Sequence, residues 1–122
     1  MIKEDYVSFE TAKLLKEKDF NGDVDWYYRI STKEREQPLM EEYDYFPDRF
    51  IQCPSLSMVM KWLREIHNIF FNINYYQLDI GNKWVHVCVN LPNKNGCEMS
   101  FEGFDLESQY DNAIKYCLQN LI

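Results

Sequence analysis

His86 and Cys88 stand two residues apart in an alternating run, and Cys97 follows one turn later. A histidine beside a thiol is the pairing that a Cys–His nucleophile needs, with the sulfur in hydrogen-bond reach and a third group orienting the ring. No local signature supplies that third group, and residues two apart on a strand rarely converge on one atom. A half-exposed sheet face accounts for the same residues. Zinc would need four nitrogen or sulfur ligands in tight pairs. Cys53, His67, His86, Cys88, Cys97 and Cys117 include one close pair, His86-x-Cys88. His67 is better explained as a partner of a helix C-terminus or as a residue at the edge of the core than as a base. The carboxylates Glu41, Glu42, Asp44 and Asp48 could form acid–base pairs, as in any acidic loop, and solvation explains them more simply. With four glycines and no Gly-rich phosphate motif, a phosphate-cradling loop is excluded. No metal and no cofactor are expected.

The aromatic residues carry more information. Trp26, Tyr28, Tyr43, Tyr45, Tyr76 and Trp84 are the candidate binding residues, because Tyr and Trp are enriched where interfaces concentrate their energy. Trp26, Tyr27, Tyr28, Tyr75, Tyr76 and Trp84 could stack single-stranded bases, but that requires a positive groove. The chain has 13 basic residues against 20 acids and a net charge of −7. Its acids cluster in residues 1–25, 33–49 and 98–122, while 50–97 is slightly basic. Nucleic acid is therefore a disfavoured partner, and solubility is the simplest role of the charge.

At 122 residues the chain is long enough for a single domain with its own core, without help from metals or disulfides. No apolar run is long enough to span a membrane, and Met1–Asp5 lacks a leader's apolar stretch, so a cytoplasmic protein is expected. The four cysteines show no pairing by spacing, and reduced, largely buried thiols are expected.

Helical spacing is clearest in the last seventeen residues. Leu106, Tyr110, Ala113, Ile114, Cys117, Leu118 and Leu121 recur on one stripe, and Asp105 stands at the N-cap. Ser8 caps a helix over 9–18, which Asn21-Gly22-Asp23 ends; Ser55 caps another, whose stripe is Leu56, Val59, Met60, Leu63, Ile66 and His67. Residues 26–30 read as a short strand and 50–52 as an extended lead-in. Phe71, Ile73 and Tyr75 alternate with Asn72 and Asn74; Val85, Val87, Val89 and Leu91 alternate with Trp84, His86, Cys88 and Asn90. The Asp79–Asn82 turn joins these two runs, and 97–101 supplies a third strand. Residues 33–49 read as an ordered surface loop and a place to look for binding. The expected class is α+β, two layers, with helices on one face of an antiparallel sheet.

Three stretches, Val7–Lys18, Lys61–His67 and Ala113–Leu118, resemble a group of small uncharacterised proteins of Bacteroides-type gut bacteria, often encoded in prophage or mobile regions. The resemblance implies source and context, since the matching motifs are helix faces without chemistry. A second likeness, of the three strands, Gly103 and the Phe104-Asp105-Leu106-Glu107 helix start, is to antitoxins of the HicB type. The long helical N-terminal half departs from that pattern.

These observations lead to the expectation of a non-enzymatic protein-binding or adaptor module of mobile-element origin. It would act through aromatic sheet residues or the acidic 33–49 segment, with another protein as partner and a homodimer as a further form. The alternatives are an acidic inhibitor of the anti-defence or immunity type occupying a basic site, and a small hydrolase or nucleotide-modifying enzyme using His86.

Overall fold

The computed structural model describes residues 4–77 and 83–122; the turn expected at Asp79–Asn82 and residues Met1–Lys3 lie outside them. The α+β class holds: among the described residues, four α-helices accompany two three-stranded antiparallel sheets. The strands divide between two sheets where one was expected, and the chain resolves into two compact units, residues 1–55 and 56–122.

In the first unit, α1 (Phe9–Glu17) starts at Ser8, whose hydroxyl accepts the Thr11 N–H at 3.3 Å. It stops through backbone geometry that needs no glycine. Asp19 takes φ +62°, the Phe20 N–H returns to the Leu15 carbonyl and the Asp19 N–H to that of Lys16. Leu15 and Phe20 are both buried, the apolar contact that accompanies this C-terminal motif. The sheet has the order β2-β1-β3, with β1 (Tyr27–Arg29) between β2 (Glu34–Glu36) and β3 (Phe50–Gln52).

Two elements of this unit fall inside residues 33–49, the segment read above as a loop. They are β2 and the helix α2 (Met40–Tyr45), which a 3₁₀ turn at Pro47–Arg49 follows. Strand β2 consists of charged residues, held by its ladder to β1, and α2 buries no residue. Neither therefore leaves a hydrophobic period in the sequence. The core of the unit gathers Val7, Ala12, Leu15, Phe20, Phe50, Ile51 and Cys53.

The second unit runs α3 (Leu56–His67), β4 (Phe70–Gln77), β5 (Lys83–Asn90), β6 (Met99–Gly103), α4 (Leu106–Asn120), with sheet order β4-β5-β6. Asn68, at φ +56°, turns the chain from α3 into β4, and the Ile69 N–H reaches back to the Leu63 carbonyl at 3.0 Å. Asp105 caps α4, accepting the Glu107 N–H at 3.1 Å and the Ser108 hydroxyl at 2.6 Å. The register sets Phe71 opposite Val89, Ile73 opposite Val87 and Phe101 opposite Val87 from the other side. This inner face meets α4: Phe71 touches Tyr110 edge-on, Phe101 packs against Tyr116, and Val85, Val87, Val89, Ala113, Ile114, Cys117 and Leu118 are buried. At Gly103, the last residue of β6, an added Cβ would meet the end of the Gln109 side chain of α4.

Candidate functional site

The outer face of the second sheet is defined by the other half of the same register. Asn72 lies opposite Cys88, Asn74 opposite His86 and Tyr76 opposite Trp84 on one side; Glu102 lies opposite His86 and Ser100 opposite Cys88 on the other. Strand alternation sends these side chains away from α4. At one end of this face Tyr76 and Trp84 are cross-strand neighbours, and the Phe104 ring meets Trp84 edge-on at 5.0 Å. Tyr76 is 51% and Phe104 66% exposed, while Trp84 is half-buried. The Trp84 and Phe104 rings meet and Tyr76 stands across the strand pair from Trp84, so the three aromatics share one end of this face, on two strands and the lead-in to α4. Tyr76 and Trp84 stand among the aromatic candidates chosen by residue type; Phe104 does not, because it lies outside any periodic run.

The centre of the face holds His86. Its Nε2 is 3.6 Å from Glu102 Oε1, an ion pair when the ring is protonated, and its Nδ1 is buried with no hydrogen-bond partner among the described residues. At the far end Cys88 is joined to Cys97 by a disulfide, with Cα atoms 5.6 Å apart. This corrects the expectation of four reduced thiols. The β5–β6 hairpin folds the chain back so that two cysteines nine residues apart meet within bridging distance, a proximity that linear spacing does not display. The bridge also removes the thiol that a Cys88–His86 nucleophile would use. Cys53 and Cys117 are free and buried as expected. Burial pushes the Cys53 thiol up to about 11 and that of Cys117 to about 12, so both stay protonated and unreactive near neutrality.

The remaining sequence-derived residues lie in the first unit and do not form one patch. Tyr28 donates its hydroxyl to the Val7 carbonyl at 2.5 Å and meets Phe9 edge-on, so it holds the start of the chain to β1. Trp26 packs against Tyr6, with the Arg35 guanidinium over both rings. Tyr43 lies on Tyr27 and Phe50, and burial beside Tyr43 raises the Tyr27 hydroxyl above its ordinary value. These are packing roles. Tyr45, at 79% exposure, lies outside that cluster, and Leu39 and Met40 are likewise exposed. Beside Tyr43, a cleft of about 250 Å³ opens between α1 and the Pro47–Gln52 segment, with Lys16 and Asp48 among its lining.

Comparison with protein-family models, curated proteins and solved structures finds no match.

The acids of residues 33–49 are partly spoken for. Arg29 bridges Glu36 at 2.6 Å and Glu42 at 2.8 Å, and Arg49 approaches Glu42 at 3.8 Å. The hydrogen bond from Arg29 holds the Glu42 carboxyl below its ordinary range. Glu41 and Asp44 remain exposed on α2. Among the described residues no group of three or more His, Cys, Asp or Glu could hold a metal ion, and no helix is long and apolar enough to cross a membrane.

Proposed function

We propose that this chain is a non-enzymatic protein-binding module whose contact surface is the Tyr76–Trp84–Phe104 patch on the outer face of the β4-β5-β6 sheet. The observation that carries the reading is the clustering of aromatics at one end of the face: a cross-strand Tyr76–Trp84 pair, the Phe104 ring edge-on to Trp84, and two of the three residues more than half exposed. A rigid sheet presents such rings at low entropic cost, and truncating an aromatic anchor at the centre of an interface costs about 2 kcal/mol or more. A mobile-element origin is the context that the helix-face resemblance suggests.

The acidic-inhibitor reading draws on exposed Glu41 and Asp44, but the engagement of Glu42 by two arginines leaves it a smaller uncompensated charge. A catalytic role for His86 has one carboxylate neighbour in its favour, while the thiol two residues on, Cys88, is held in a disulfide. The test is affinity capture from a Bacteroides-type host with the wild-type chain and with Tyr76→Ala/Phe104→Ala as bait. Both positions are exposed, so the variant keeps its fold. A protein retained by the wild type and lost by the variant is expected; equal retention by both would refute the patch.

A further inference from the structure

Among the described residues, strand β4 is an edge of its sheet, and it differs from the other sheet edges in both length and charge. Edge strand β2 is three residues of alternating charge, Glu34-Arg35-Glu36. Edge strand β3 is three residues long and mostly buried, and β6 spans five residues including Glu102. Folded proteins commonly guard such edges with charge, brevity or proline. Strand β4 has eight residues, Phe-Phe-Asn-Ile-Asn-Tyr-Tyr-Gln, without a charge, a proline or a glycine. Its side chains are half-buried or exposed throughout, with Phe70 41%, Tyr75 59% and Tyr76 51% accessible.

The order of residue types within β4 identifies what can cover it. Read outward from Ile73 in either direction, the strand gives Asn, aromatic, aromatic: Asn72, Phe71, Phe70 on one side and Asn74, Tyr75, Tyr76 on the other. A two-fold axis normal to a sheet generates an antiparallel strand pair whose equivalent faces lie on the same side. With that axis at Ile73, Ile73 faces Ile73 of the second copy, Asn72 faces Asn74, Phe71 faces Tyr75 and Phe70 faces Tyr76. Each pair joins like to like on one face. Aromatic pairs are favourable cross-strand combinations, and no like charges oppose one another. A one-residue slip would set inner-face residues against outer-face ones, so the pattern also selects the register.

We infer that β4 is an isologous interface, pairing antiparallel with β4 of a second copy of this chain to make a continuous six-stranded sheet. The pairing closes on itself, because it consumes both β4 edges and leaves the charged β6 edges outermost. On the outer face it sets Phe70 of one copy beside Tyr76 of the other, bringing the two aromatic patches toward the dyad. The inference stands independently of the proposed external partner.

The test uses the purified full chain alone. Sedimentation and light scattering should give a mass near twice 14.8 kDa at about 100 µM, dissociating on dilution. Asn72→Lys/Asn74→Lys sets like charges opposite each other twice at the dyad and should weaken association roughly tenfold or more. Mixing it with Asn72→Glu/Asn74→Glu should restore a heterodimer. The single-chain combination Asn72→Lys/Asn74→Glu, which places opposite charges across the same pairs, should remain dimeric. In the wild type, amide exchange in residues 70–76 should slow as concentration rises through the transition, a readout that needs no variant to fold. A wild type monomeric at about 100 µM, open-ended growth, a dimer indifferent to the double lysine substitution, or β4 exchange independent of concentration would each overturn the inference. None of these outcomes involves an outside protein, so failure here leaves the aromatic-patch reading standing.

Discussion

Leu118→Ala tests the packing that makes the outer sheet face possible. Leu118 is fully buried on the stripe of α4 that covers Val85, Val87 and Val89. The substitution removes three carbons, about 2.4 kcal/mol at about 0.8 kcal/mol each. If the vacated space of about 80 Å³ stayed open, a cavity term of about 24 cal/mol per Å³ would add about 2 kcal/mol. Partial collapse of the neighbouring side chains brings the expected loss to about 3–4 kcal/mol. In urea at a slope of about 1.5 kcal/mol/M this lowers the midpoint by roughly 2 M, with the slope unchanged. Gln119→Ala, one residue on and exposed, is the control and should move stability by about 0.5 kcal/mol or less. A loss under about 1 kcal/mol for Leu118→Ala would mean that α4 does not close the inner face, and the division into inner and outer faces would fall with it.

Three further outcomes follow from local structure. Intact mass under non-reducing conditions should fall two hydrogens short, mapping to Cys88–Cys97, while Cys53 and Cys117 resist alkylation until the chain is unfolded; reducing the short loop should cost about 2–3 kcal/mol. Glu42, whose folded carboxyl lies below its ordinary 4.5 because Arg29 binds the ionised form, contributes stability that is present above that value and lost as pH falls through the lower folded one. Acid titration of the melting temperature should therefore be less steep in Glu42→Gln than in the wild type, and equal slopes would refute the pairing. Asp19→Gly relieves a left-handed backbone at the end of α1 and should stabilise the chain by about 0.5–1 kcal/mol in thermal unfolding, where a loss would show that the Asp19 side chain matters more than its φ.

The sequence was legible where burial imposed a period. Residues 56–67 and 106–120 announce their helices through a buried stripe, and 70–77 and 83–90 announce their strands through alternation against that stripe. Legibility ends where backbone pairing or local ion pairs replace burial. Strand β2 is Glu34-Arg35-Glu36, held by the β1 ladder and by Arg29, and nothing in those side chains signals a strand. Helix α2 buries nothing and so carries no apolar stripe. The Cys88–Cys97 bridge depends on how a hairpin folds back, and the division of strands between two sheets depends on pairing partners that no local pattern names. In the candidate site the Tyr76–Trp84 pair was visible as aromatic content on alternating runs, whereas Phe104 joins them through the chain path after β6.

The central claim is recognition through the Tyr76–Trp84–Phe104 patch, and the most direct test is a titration of the captured partner against the chain over a series of salt concentrations. An aromatic contact predicts affinity and on-rate that change little with salt, and a loss of roughly thirtyfold or more in Tyr76→Ala/Phe104→Ala, corresponding to about 2 kcal/mol. Replacing Glu41, Glu42 and Asp44 together with neutral residues should leave the on-rate nearly unchanged. A steep salt dependence that disappears in that triple variant, with full binding by the aromatic variant, would contradict the account and place recognition on the acidic segment.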